Sequence, residues 1–288
     1  MNSSLRRRSI GVVSACCAAT AAAACLLLLL PSPAAAAAVW DLSSYSLEKF
    51  LKFKEIGDNA SGAAYMPESR TLWVVVNNPP GLFHYDLEGR LLRRLDLPWL
   101  ADPEDVVYIS PDTVAVSEEE PGGGIRLLDV SAWGSGRQVG YIPARNPRWG
   151  GVGNEGLAYN PRTKTFYVGQ EKAPMRILAI PSEGRDAGSW TTVLDGDAAF
   201  QPRGGGGLLT DISAVAYTEA RPEQLYVLSQ ESSRVVRVTM GGQVLEHMHV
   251  SGLRPEGLVF TPDGCRMIVI SEPNEMAIYR SDGCNGKK

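Results

Sequence analysis

From about residue 45 onward the chain is a succession of short apolar runs cut at close intervals by Gly, Pro, Asn and Asp. "SGAAYMP", "TLWVVVNN", "GLFHYDLEG" and "RLLRRLDLP" follow one another from Ser61, rich in β-branched and aromatic residues and too short for ordinary helices. The same order then returns. "SGAAYMP" from Ser61 aligns with "EDVVYIS" from Glu104, "EGLAYNP" from Glu155, "SAVAYTE" from Ser213 and "EGLVFTP" from Glu256, at spacings of 43, 51, 58 and 43 residues. Each is followed by a second run that stops at polar residues: "TLWVVVNN", "TVAVSEEE", "TFYVGQEK", "QLYVLSQES", "RMIVISEPN". Four antiparallel strands repeated about every 40 to 50 residues form a propeller blade. The last unit has only three strands, and "EKFLKFKEIG" at 48–57 can supply the fourth, tying the termini together and removing open edges. The expected fold is all-β, a β-propeller of five four-stranded blades, with a sixth made from loops as the alternative.

The long inserts are Gly-rich, and the glycines at 204–207 read as a mobile connection. They are not a phosphate loop, since neither a Lys-Ser/Thr pair nor a helical pattern follows.

The start of the chain has a different character. Arg6, Arg7 and Arg8 precede an uncharged stretch that runs through "CLLLLL", Pro31 and Pro33 to a run of alanines ending at Ala38. These are the parts of a cleavable export signal. Residues 1–38 are therefore expected to direct export, with residues 39–288 forming one propeller domain. An uncleaved membrane anchor over residues 10–30 and an organelle transit peptide are the alternatives. Removing the segment takes three of the 28 basic residues and none of the 32 acidic ones, leaving 25 against 32, a net charge of −7. Nucleic acid is a poor partner for such a chain. Of the five cysteines, only Cys265 and Cys284 lie beyond the segment. A hairpin centred near Asn274 brings them opposite each other, which in an exported protein predicts a disulfide, with two unpaired thiols as the alternative.

In a propeller the first strand of each blade faces the central channel. The repeated opening position carries Ser61, Glu104, Glu155, Ser213 and Glu256, and two residues earlier stand Asn59, Asp102, Gly153, Asp211 and Arg254. Alternation places both sets on one side of the strand. Five carboxylates thus converge on one mouth: Asp102, Glu104, Glu155, Asp211 and Glu256. At roughly 8 Å and an effective dielectric of ~20 each pair repels by about 2 kcal/mol, so the cluster must take up protons or bind a cation. Calcium, hard and tolerant of irregular oxygen sites, is the natural occupant. Zinc is disfavoured, because His84, His247 and His249 fall on later strands, in surface or packing positions. A second rung, at the ends of the second strands, carries Asn77, Glu118, Glu119, Glu171, Glu231, Ser271 and Glu272, with Lys172 beside Glu171. From the two rungs, Asn59, Asn77, Glu119, Glu171, Lys172, Glu231, Arg254 and Glu272 are the candidate ligand contacts. The "NAS" triplet at 59–61 is a glycosylation acceptor by rule. At a channel mouth a glycan fits poorly, and Asn59 is expected to be unmodified.

The motifs "NEGLAYN", "GQEKAP", "TDISAVAY", "YVLSQESSR", "PEGLVF" and "VISEPN", in this order, resemble the SdiA-regulated (YjiK-like) β-propeller family over about residues 45 to 282. The resemblance implies an exported or envelope-anchored propeller with a calcium-binding mouth formed by Asp102, Glu104, Glu155, Asp211 and Glu256. Gly153 and Arg254 depart from the acidic pattern and make such a site lopsided. Two functions follow as expectations, with a purely scaffolding surface protein as a third reading. The first is a calcium-binding propeller whose mouth holds a small molecule or a partner's loop. The second is a calcium-dependent hydrolase of esters, lactones or phosphoesters, like other propellers with an axial calcium, with Glu155 or Glu171 as general base. No histidine is placed to act as base at the mouth and no nucleophile elbow is present, which favours binding over catalysis.

Overall fold

The computed structural model describes residues 39–119, 123–143, 153–201 and 207–284. Residues 1–38, expected to direct export, and the glycines at 204–206 lie outside these residues. After β1 (Tyr45–Lys52) the chain builds blade 1 from β2 (Ala60–Met66), β3 (Thr71–Val76), β4 (Gly81–Asp86) and β5 (Leu91–Asp96). Blade 2 holds β6 (Pro103–Ser110), β7 (Thr113–Glu118), β8 (Gly124–Asp129) and β9 (Gln138–Pro143). Blade 3 holds β10 (Asn154–Asn160), β11 (Thr165–Gln170), β12 (Arg176–Pro181) and β13 (Thr191–Asp195), followed by the short helix α1 (Gly196–Phe200). Blade 4 holds β14 (Ala214–Tyr217), β15 (Gln224–Ser229), β16 (Arg234–Thr239) and β17 (Val244–His249). Blade 5 holds β18 (Arg254–Phe260), β19 (Arg266–Glu272) and β20 (Glu275–Ser281), and β1 pairs antiparallel outside β20. The inner strands touch in cyclic order, β2 to β6, β10, β14 and β18 and back to β2. Five blades close the ring, and no sixth is formed among the described residues.

Burial explains why the strands differ in pattern. A second strand lies between two neighbouring blades with both faces covered, so "TLWVVV" and "LYVLS" are apolar without alternation and buried throughout. An outer strand such as "LLRRLD" has only one face covered and alternates. The apolar clusters each span a seam: Val74 and Tyr85 of blade 1 pack with Ile268 and Ile278 of blade 5. Each such side chain contributes about 1.5–3 kcal/mol, and together they make adjacent blades one cooperative structure.

The closing strand starts at Tyr45 and ends at Lys52, a shift from the expected 48–57. A break in register between Leu47 and Lys49 frees Glu48 to meet Arg266 at 2.8 Å and Arg280 at 3.4 Å. Beyond Lys52 the chain turns inward: Phe53 packs at a tilt against Tyr85 with centroids 4.4 Å apart, and Asn274 Nδ2 donates to the carbonyls of Phe53 and Ile56, each at 2.9 Å. Upstream, a strap crosses blades 4 and 5. Asp41 pairs with Arg237 at 3.1 Å, Leu42 N donates to Glu246 Oε2 at 2.6 Å, and Tyr226 donates its hydroxyl proton to the Trp40 carbonyl at 2.7 Å. Cys265 and Cys284 form the expected disulfide, Cα atoms 5.6 Å apart.

Candidate functional site

Four of the five inner strands open with a β-bulge. Register shifts fall between Ala60 and Gly62, Pro103 and Asp105, Asn154 and Leu157, and Pro255 and Gly257. A bulge lifts a residue out of the ladder and re-aims its side chain. The residues lifted out are Ser61, Glu104, Glu155 and Glu256, four of the five positions that recur in the sequence. Blade 4 reaches the same end differently: β14 begins late, and Ser213 N donates to the Leu228 carbonyl at 2.9 Å.

The two rungs are joined by a repeated turn. Asn59, Asp102 and Gly153 have positive φ of 62°, 51° and 32°, the left-handed region that Asn, Asp and Gly tolerate best. Their carbonyls accept from Asn77 N at 3.3 Å, Glu119 N at 2.9 Å and Glu171 N at 2.9 Å. The end of each second strand is thereby drawn beside the bulge of the first. In blade 4 the carboxylate of Asp211 does this work, accepting from the Ser229 hydroxyl, Gln230 N at 3.0 Å and Glu231 N at 3.3 Å. In blade 5, Arg254 stays in the ladder opposite Glu272 and pairs with it at 2.7 Å, with Asp58 at 3.6 Å.

The tightest acidic group comprises Asp102, Glu104 and Glu119, with a carboxylate oxygen of each within 4.8 Å of the others. Asn77 Nδ2 donates to Glu104 Oε1 at 3.1 Å, and Glu119 Oε1 accepts from Gly153 N at 2.9 Å. The amide oxygens of Asn77 and Asn154 are buried without a hydrogen-bond partner among the described residues. Buried polar atoms are nearly always satisfied, so unused oxygen lone pairs here suit a hard cation. The residues present therefore fit calcium.

Electrostatics tie the rest of the mouth to this group. Burial, reinforced by Asp102 and Glu119, pushes Glu104 up to about 8, against the pull of the Asn77 bond. Glu155 is held well above the ordinary carboxylate range by burial and by Glu104, Glu119, Glu256 and Glu171. Burial, Glu272 and Glu104 push Glu256 up to about 9, although Gln230 Nε2 donates to it. Burial also raises Glu119 and Glu272. On one flank Lys172 Nζ sits 2.6 Å from Glu231 and 3.0 Å from Glu171, which lowers the pKa of Glu231. The cluster as it stands holds protons near neutral pH and would exchange them for a cation.

Not every acid of the rungs takes part. Glu118 points the other way, fully buried against Arg126 at 2.5 Å and accepting from Ala101 N at 2.9 Å. The Asp211 oxygens are engaged by its own turn. The histidines are remote: His84 stacks on Trp73 at 4.4 Å and bonds Thr71 Oγ1 at 2.6 Å, while His247 and His249 are exposed on β17. One residue escaped the sequence reading. Asp105, 3% exposed, accepts from Val106 N and Leu157 N at 2.7 Å each, stitching blade 2 to blade 3, and burial drives its pKa far up. Its counterparts are Gly62, Gly156, Ala214 and Gly257. Asp105 was visible as the one large side chain in a column of small ones.

Several solved structures share the architecture. A gluconolactonase from Xanthomonas campestris superposes with a TM-score of 0.51 at 14% identity, covering 80% of this chain and 88% of that one. The calcium-binding protein regucalcin from Agrobacterium tumefaciens gives 0.54 at 13%, covering 82% and 95%. A luciferin-regenerating enzyme gives 0.50 at 12%, covering 81% and 97%. At such identities the likeness is one of fold. The sequence profile of the SdiA-regulated proteins matches residues 38–280.

Proposed function

The chain belongs to the SdiA-regulated family, and we propose that it is an exported calcium-binding propeller that holds a small molecule or a partner's loop at its acidic mouth. Asp102, Glu104 and Glu119 hold the ion, with the Asn77 amide oxygen as a neutral ligand. Glu155 and Glu256 line the remaining mouth, and Asp211 fixes its wall. A calcium ion held there would neutralise the carboxylates and supply a Lewis-acid centre for an oxygen of the ligand. Lys172 and Arg254 stand at the rim, where an anionic group on the ligand would be received. The carrying observation is the three-carboxylate group beside an unpartnered buried amide oxygen. Export through residues 1–38 agrees with the disulfide, which persists in oxidising compartments. Among the described residues no helix is long and apolar enough to cross a membrane.

Titration calorimetry with calcium in chelator-treated buffer tests this reading. One ion per chain is expected, with at least tenfold weaker binding in Glu119→Gln and no change in Glu246→Gln, whose side chain lies on β17 against the N-terminal strap. Absence of heat, together with a melting temperature indifferent to chelator, would end it.

The second reading, a calcium-dependent hydrolase of esters, lactones or phosphoesters, draws on Glu155. A half-buried carboxyl whose pKa is raised by burial and by the neighbouring acids can act in general acid–base catalysis once a cation draws that pKa down. Glu171, held by Lys172, is less free to move a proton. Turnover in a substrate panel that is abolished by Glu155→Gln, with calcium affinity retained, selects this reading over simple binding.

A further inference from the structure

The five inner strands run in the same direction, so their second halves gather at the channel end opposite the carboxylates. There they enclose a cavity of about 320 Å³. Four residues past each opening position stands an aromatic side chain: Tyr65, Tyr108, Tyr159, Tyr217 and Phe260, all lining this cavity. A neck of small residues, Gly62, Gly156, Ala214 and Gly257 with Asp105, separates the two ends. A Cβ on Gly257 would lie 2.9 Å from the Gly62 Cα, and one on Gly156 would lie 2.5 Å from Val215 N. The neck is therefore built from close backbone contact, and the lower chamber is independent of the acidic mouth.

The chamber keeps apolar surface uncovered inside the protein. Val107, Tyr108, Ile109, Tyr159, Val259 and Phe260 all line it and are only partly buried, each packed on one side against an inter-blade apolar cluster. Its wall is fixed in advance. Trp40 lines it, anchored through its carbonyl to Tyr226, and seated against Gly264, where φ is +67° and a Cβ would meet the Trp40 ring at 2.7 Å. Glu219, exposed at the rim, is the one charged side chain among the described residues of the lining. The Tyr108 hydroxyl is already engaged by Glu68 Oε1 at 2.8 Å.

We propose that this lower chamber is a second binding site, which takes a neutral, largely apolar small molecule with a planar ring system. Ring faces and edges offer stacking and edge contacts to such a molecule. A charged ligand finds no buried partner here and would be desolvated without compensation. At about 30 Å³ per water the space holds roughly ten waters, the bulk of one two-ring molecule and too little for a helix or a folded segment. Concave, preformed and mainly apolar, it has the character of a small-molecule site.

The neutral dye prodan, titrated into the purified protein, provides the test. A saturable blue shift of emission with one dye per chain is expected, unchanged by calcium or chelator, so that failure of the calcium reading leaves this result standing. Val107→Trp and Val259→Trp direct new bulk into the chamber from partly exposed positions, and each should weaken the dye at least tenfold with melting temperature retained. Unsaturable binding by the wild type, or undiminished binding by a folded Trp variant, overturns the proposal. Should both variants fail to fold, photolabelling of the wild type with benzophenone decides. Label on the peptides carrying Tyr65, Tyr108, Tyr159, Tyr217 or Phe260 supports the site, and label confined to other peptides refutes it.

Discussion

Replacing Glu104 with Gln separates a cation ligand from an ordinary hydrogen-bonding carboxylate. In the folded, cation-free protein the group titrates at about 8, against an ordinary value of 4.5. A carboxyl with a raised folded pKa favours the fold fully below the unfolded pKa, and that advantage is lost as pH rises through 4.5 toward 8. At pH 7 the unfolded chain has released the proton while the native state retains it. Two and a half pH units at about 1.4 kcal/mol each give about 3 kcal/mol of lost stability, and sharing of protons with Glu155 lowers this to about 1–3 kcal/mol. Gln keeps the shape and the acceptor for Asn77 Nδ2 but carries no proton equilibrium. In chelator at pH 7 the variant should melt above the wild type by roughly 3–10 °C, at about 2–4 °C per kcal/mol for a chain of this size. Near pH 4.5 the gap should close. In millimolar calcium the order should reverse, because the wild type gains RT ln(1 + [Ca]/Kd) and the variant has lost a charged ligand. Scanning calorimetry over pH 4.5–8.5, with and without calcium, reads all three. A variant less stable than the wild type in chelator by the same amount at every pH would refute the reasoning, since Glu104 would then serve only as a fixed hydrogen-bond acceptor.

Other expectations concern the frame around the site. Asp105→Ala orphans the buried N–H groups of Val106 and Leu157 and should lower stability by about 2–4 kcal/mol in urea unfolding, Asp105→Asn by less; an Ala variant as stable as the wild type contradicts the stitching role. Cys265→Ser opens a loop with sequence separation 19 and should lower stability by about 3 kcal/mol, a loss that reductant should reproduce in the wild type and leave unchanged in the variant. Arg237→Met removes the side chain, 10% exposed, that pairs with Asp41 and Glu246; it should cost about 3 kcal/mol and make the strap at 39–44 the first site of proteolytic attack, whereas uniform resistance would show that Arg221 and the apolar contacts hold the strap unaided.

The fold was legible because each blade is specified locally. Alternation, turn residues and a two-face-buried second strand recur five times, and the three-strand final unit announces that the N-terminal strand must close it. Hairpin geometry likewise brought Cys265 to Cys284. The two polar rungs were legible as columns of the repeat, and Glu104, Glu155 and Glu256 do act on one another across one mouth. What each acid does there was not written in the columns. Glu118 and Glu119 are neighbours in sequence, yet the strand end sends one into a buried ion pair and the other to the acidic group. Asp211 aligns with Asp102, but its blade lacks the left-handed turn, so its oxygens replace a backbone carbonyl as the acceptor. Asp105 and the aromatic column below it were in plain view, but only the closed ring shows that one spans a seam and that the others leave a chamber. Period and burial pattern are properties of a strand and its immediate partners, so sequence alone determined them. Which carboxylate meets a proton, an N–H group or a cation depends on which atoms the closed ring sets beside it, from the strand ends of its own blade and from the blade next to it, and only tertiary structure decided that.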